Sequence, residues 1–138
     1  MDLDPTGAPA LGLRAYVTSV ASRLGLGPEL CHCDLALPAG AFVALDRRLA
    51  NFPTRDVALT WHEEYGWSIA IELDRGERLT ALSYLGSDVL PDTGVVAEFV
   101  DDMFAGRYPG QPIATALRTA SVPDGLDARL AAYTVGAP

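Results

Sequence analysis

Val57-Ala58-Leu59-Thr60-Trp61-His62-Glu63-Glu64-Tyr65-Gly66-Trp67-Ser68-Ile69-Ala70-Ile71-Glu72-Leu73 decides the fold of this 138-residue chain. Val57, Leu59 and Trp61 alternate with Ala58, Thr60 and His62, while Trp67, Ile69, Ile71 and Leu73 alternate with Ser68, Ala70 and Glu72. A period of two is that of a strand with one buried face. Glu63 to Gly66 supplies a tight turn between the two runs, so the stretch reads as an antiparallel hairpin with both tryptophans on one face.

Upstream, Leu30 to Leu37 and Ala41 to Leu45 read as two more strands around Pro38-Ala39-Gly40, and downstream Leu79 to Leu85 reads as a fifth after a turn at Asp74-Arg75-Gly76. Apolar residues of the fifth strand fall on both faces. Helices flank the strands. Leu13, Tyr16, Val17, Val20 and Leu24 recur at steps of three and four until Gly25, Gly27 and Pro28 stop them. Asp92 caps a second stripe of Val95, Val96, Phe99, Val100 and Met103, which ends at Gly106. Arg107 to Val122 has no period, and Pro123-Asp124 opens a last helix with Leu126, Leu130 and Tyr133. The expected fold is α+β: an antiparallel meander of about five strands, an N-terminal helix and two C-terminal helices, packed in two layers. Residues 1–9 are expected to be a flexible tail and 10–135 a single domain.

Composition narrows the function classes. Eighteen acidic residues against ten basic ones, all arginine, leave a net charge of −8, which repels a phosphate backbone, so no nucleic-acid partner is expected. No apolar run approaches the roughly 20 residues of a membrane span, and no membrane partner is expected. Asp2 and Asp4 stand where an export signal would be basic, and a cytoplasmic protein is expected. No βαβ rhythm or phosphate loop calls for a nucleotide, and no cofactor is expected.

Three places hold residues with chemistry. Cys31-His32-Cys33 has soft ligands, but on a strand His32 points away from both thiols, and a zinc site would need further ligands; no metal is expected. Trp61, Glu63, Glu64, Tyr65 and Trp67 form a hairpin tip that reads either as two core anchors with solvated glutamates or as a recognition loop for a partner. Ala58, Thr60, Ser68 and Ala70 make the far sheet face small. That face is covered by Ile113 to Val135, or forms a flat dimer surface, or floors a cleft. In a cleft, His62, Glu72 and Tyr84 are the acid and base candidates, with Asp46, Arg47 and Arg48 at an edge unless they pair with neighbours such as Asp56.

Phe42-Val43-Ala44-Leu45-Asp46-Arg47-Arg48, Arg55-Asp56-Val57-Ala58-Leu59-Thr60-Trp61, Glu63-Glu64-Tyr65-Gly66-Trp67 and Tyr84-Leu85-Gly86 together carry a resemblance. The chain resembles a family of small uncharacterised actinobacterial proteins over residues 13 to 106, a resemblance that implies no catalytic or binding residue.

Two functional expectations follow. The first is a non-catalytic accessory or regulatory protein, a homodimer, that binds a protein partner through the sheet face or the Trp61 to Trp67 hairpin with Asp46 and Arg47 nearby. The second is a cofactor-free enzyme or small-molecule-binding protein with a cleft beside the sheet.

Overall fold

The hairpin forms as its alternation requires. β3 (Val57–His62) and β4 (Gly66–Leu73) pair antiparallel with Leu59 opposite Ile69 and Trp61 opposite Trp67. Around them the computed structural model, which describes residues 7–36, 38–73, 78–86, 88–120 and 124–134, places β1 (Cys31–Asp34), β2 (Gly40–Ala44) and β5 (Arg78–Tyr84). The five strands form one antiparallel sheet in the order β1-β2-β3-β4-β5. Three helices, α1 (Ala8–Arg23), α2 (Thr93–Phe104) and α3 (Leu126–Ala131), complete the α+β fold.

One sheet face carries Val43, Val57, Leu59, Trp61, Trp67, Ile69 and Ile71, and all are buried with Leu13, Tyr16, Val17 and Val20 of α1, Val96, Phe99, Val100 and Met103 of α2, and Leu126 and Leu130 of α3. Burial of that apolar area, at about 25 cal/mol per Å², is the main drive to fold. The tryptophans are also tethered. Trp61 Nε1 donates to the Val89 carbonyl at 2.6 Å, and Trp67 Nε1 donates at 3.0 Å to the Tyr16 hydroxyl, which itself donates to the Pro91 carbonyl at 2.6 Å.

Several boundaries differ from the sequence expectation. α1 starts at Ala8, with Pro9 in its first turn, where proline needs no intrahelical partner; the expected tail otherwise falls outside the described residues. β1 stops at Asp34, whose Oδ1 accepts from the Ala36 amide at 3.1 Å and turns the chain. Val95 belongs to the outer side of α2, at 44% exposure, and not to its apolar stripe. α3 begins after Asp124, which accepts from the Leu126 amide. The expected turn at Asp74-Arg75-Gly76 and the opening proline, Pro123, lie outside the described residues. The mixed pattern of β5 has a cause: a register shift between Ile69 and Ala70 sets Ile69 opposite Ser83 but Ala70 opposite Ala81, so Leu82 is the extra residue of a bulge.

Candidate functional site

The hairpin tip is occupied by the chain's own residues. Trp61 and Trp67 are 2% and 0% exposed, so they are core anchors and offer no ring to a partner. Glu63 is not solvated: it is 5% exposed, its Oε1 accepts from the Ala39 amide at 2.6 Å, and its Oε2 accepts from Arg118 Nη1 at 2.7 Å. Glu64 lends its carbonyl to the Leu117 amide at 2.7 Å and its Oε2 to the Ala120 amide at 2.8 Å. Arg118 is held from its other side by Asp124 at 2.7 and 3.1 Å, and these bonds keep its guanidinium above its ordinary pKa. His62 Nδ1 accepts from the Glu64 amide, and its ring lies 4.7 Å from the half-buried Tyr65 ring. Residues 117–120 therefore run along the tip as a strap. Arg118 escaped sequence reasoning because it sits in a stretch without period and meets Glu63 only through the fold, and Asp124, expected to open the last helix, also holds Arg118.

The other candidates are dispersed. Arg47 stacks its guanidinium 4.1 Å above the Phe104 ring, 3.9 Å from Asp101, while Asp46 is exposed. Arg48 pairs with Asp56 at 3.0 Å, the neighbourly pairing that the sequence suggested. Cys31 and Cys33 are free thiols on the helix-covered face, both pushed up in pKa by burial, away from the thiolate that attacks or binds metal. His62 lies on the opposite face and is not brought to them. Among the described residues no three His, Cys, Asp or Glu side chains gather as metal ligands.

The far sheet face is open only in part: Ala58, Ser68 and Ala70 are buried, at 6%, 3% and 2% exposure, and the open part lies toward Phe42 and Leu79. Among the described residues the C-terminal segment runs along the edge and the tip of the sheet and into the core. Gln111 pairs with Tyr84 at the β5 edge, Leu117 to Ala120 follow the hairpin tip, and Leu126 and Leu130 enter the core beside α1. Register aligns the face in rows. Ala44, Ala58, Ala70 and Ala81 stand side by side across β2, β3, β4 and β5. The next row is His32, Phe42, Thr60, Ser68 and Tyr84, with Thr60 and Ser68 hydroxyls 2.5 Å apart and His32 stacked on Phe42. Phe42 and Leu79 remain 39% and 46% exposed. Between them lies an open groove of about 580 Å³ floored by Ala44 and Ala58, with Glu72 and Arg78 at its rim.

His62, Glu72 and Tyr84 share this face but do not converge. Glu72 donates its amide to the Asp56 carbonyl, six residues along β3 from His62, which separates the two by roughly 20 Å at the strand rise. Tyr84 opposes Ser68, four residues from Glu72, or roughly 13 Å. Only Glu72 reaches the groove.

Helices on one side of a five-stranded meander, and an open small-residue groove on the other, define a one-sided α+β sheet domain. The chain belongs to DUF6292, a family of unknown function, whose model matches residues 16–102. No curated protein and no solved structure matches the chain. The matched residues hold the whole sheet and exclude the strap with Arg118 and Asp124. Among the described residues no helix is long and apolar enough to cross a membrane.

Proposed function

We propose that this chain is a non-catalytic accessory or regulatory domain that docks a protein partner at the groove on its far sheet face, working as a cytoplasmic homodimer. The observation that carries this reading is the groove between Phe42 and Leu79. Its floor is small, formed by Ala44 and Ala58, and its flanks, Phe42 and Leu79, are exposed large apolar residues, so an apolar side chain of a partner can approach closely. The charged rim of Glu72 and Arg78 suits the polar margin of such an interface. The spread of His62, Glu72 and Tyr84 argues against general acid and base work by those three together. The hairpin tip is a poorer docking point than the face because its glutamates already serve the strap.

Affinity capture from the native host with wild type, Leu79→Glu and Glu64→Ala tests the reading. A partner kept by wild type and Glu64→Ala but lost with Leu79→Glu is the expected result. Partners that do not distinguish wild type from Leu79→Glu would overturn it.

The groove's volume also falls within the range of about 300–1,000 Å³ that small-molecule sites occupy, which favours ligand binding as the second reading. Native mass spectrometry of gently purified protein that carries an organic molecule, released by Leu79→Glu, would support it.

A further inference from the structure

The two edges of the sheet are finished differently. At β5 the chain supplies its own neighbour: Tyr84 and Gln111 exchange backbone hydrogen bonds of 2.7 and 2.8 Å, and Ser83 Oγ donates to the Pro109 carbonyl. Gly110 lies so near that a Cβ would overlap the Tyr84 carbonyl oxygen. β1 has no such neighbour among the described residues. Its ladder to β2 is regular over four residue pairs, and among the described residues its other backbone bond is from the Cys31 amide back to Pro28 in the preceding turn. Cys31 to Asp34 contains no lysine, proline or bulge, three of the means by which an open edge is kept from pairing, and Asp34 is its one carboxylate.

We infer that β1 is the homodimer contact, where a second copy adds its own β1 antiparallel about a two-fold axis at Cys33. This rests on the homodimer reading above and names the surface that makes it. A two-fold axis perpendicular to the sheet keeps the helices of both copies on one side, so facing residues share a face. With the axis at Cys33, that residue meets its own copy on the helix side, and His32 meets Asp34 of the second copy on the far side, twice. Both His32 and Asp34 are exposed in the single chain, and a cross-strand imidazole and carboxylate attract. An axis at His32 would set imidazole against imidazole, and an axis at Asp34 would oppose two carboxylates, which repel. The charge pattern therefore selects one register. The dimer also extends the row that begins with the exposed, stacked pair of His32 and Phe42, and it sets the two grooves on one side of a continuous sheet.

Sedimentation velocity and thiol cross-linking with a short bis-maleimide, both on the full chain, test the inference. Cys31 and Cys33 are the chain's two cysteines, so the chemistry reports on this strand alone. A concentration-dependent dimer is expected, cross-linked in Cys31→Ser as in wild type but about tenfold less in Cys33→Ser. His32→Glu, at an exposed site that leaves the fold intact, should weaken the dimer about tenfold, and adding Asp34→Arg should restore it. A dimer indifferent to His32→Glu and to Cys33→Ser would overturn the β1 contact while leaving the homodimer reading in place. A monomer at every concentration would overturn both, and the docking face would still stand or fall with Leu79→Glu.

Discussion

Glu63 and Arg118, fifty-five residues apart, form an ion pair of 2.7 Å with side chains only 7% and 10% exposed. Charges buried to that degree lose hydration that the pair must restore, and both partners are fully engaged: Glu63 also accepts from the Ala39 amide, and Arg118 also holds Asp124. The contact fastens residues outside the matched family region to the hairpin at the centre of the sheet.

Removing one partner of such a pair leaves the other buried without its counter-charge. Glu63→Ala should destabilise the chain by about 2–4 kcal/mol in urea unfolding at neutral pH, with Asp124 limiting the loss by retaining Arg118. Glu63→Gln keeps an acceptor for the Ala39 amide and should lose less. Equal losses would mean that charge contributes nothing to the clip.

The Tyr16 hydroxyl receives Trp67 and donates to Pro91, so Tyr16→Phe strands a buried donor and a buried acceptor and should cost about 1–3 kcal/mol. Burial holds its phenol well above the ordinary 10.0. The folded state thus keeps a proton that the unfolded chain releases, and the associated stability is complete below pH 10 and is lost as pH rises beyond it. Burial raises Tyr133 in the same direction. Alkaline titration of stability should fall less steeply in Tyr16→Phe than in wild type; parallel curves would contradict the assignment.

Alternation made the central hairpin and the buried face legible in sequence, because a period of two needs no knowledge of distant residues. The β5 bulge was not legible: Leu82 is extra only relative to the register of β4. The same limit hid the role of Glu63, which reads as a solvated turn residue until Arg118 is brought beside it. Ala58, Thr60, Ser68 and Ala70 did announce a small-residue face, but which part of it stays open depends on neighbours such as Phe42 and Leu79 and on the path of residues 111–120, which has no periodic signal. Of the candidate residues, Glu72 reaches the groove, while His62, Tyr84 and Arg47 lie where strand register and the loop after β2 put them.

Gly12 inverts an ordinary rule. Alanine in place of a mid-helix glycine usually stabilises by about 0.5–1 kcal/mol. In α1, however, a Cβ at residue 12 would overlap the carbonyl oxygen of Leu130, where α3 makes its closest approach. Gly12→Ala should therefore destabilise by about 2 kcal/mol or more, by displacing α3. A thermal melt shifted upward would show that α3 yields without loss.

Asp88 and Arg129 fasten α3 from its other side, with Arg129 Nη2 at 2.8 Å from Asp88 Oδ2 and 3.2 Å from the Leu90 carbonyl. The hydrogen bond from Arg129 holds the Asp88 carboxyl below its ordinary 3.8. A depressed carboxylate contributes stability that is complete above its unfolded pKa and is lost as pH falls through the folded one. Both side chains are nearly half exposed, so solvent screens the pair and its worth at neutral pH is roughly 0.2–1 kcal/mol. Asp88→Asn, which preserves an acceptor for the Leu90 amide, should be less stable than wild type by that amount at pH 7. The two should converge once pH has fallen through the depressed pKa of folded Asp88, where the wild-type carboxyl is itself protonated. Urea unfolding at both pH values reads the difference directly. A gap that persists at low pH would assign the contact's value to packing of the Arg129 stem and not to charge, since protonation removes only the latter.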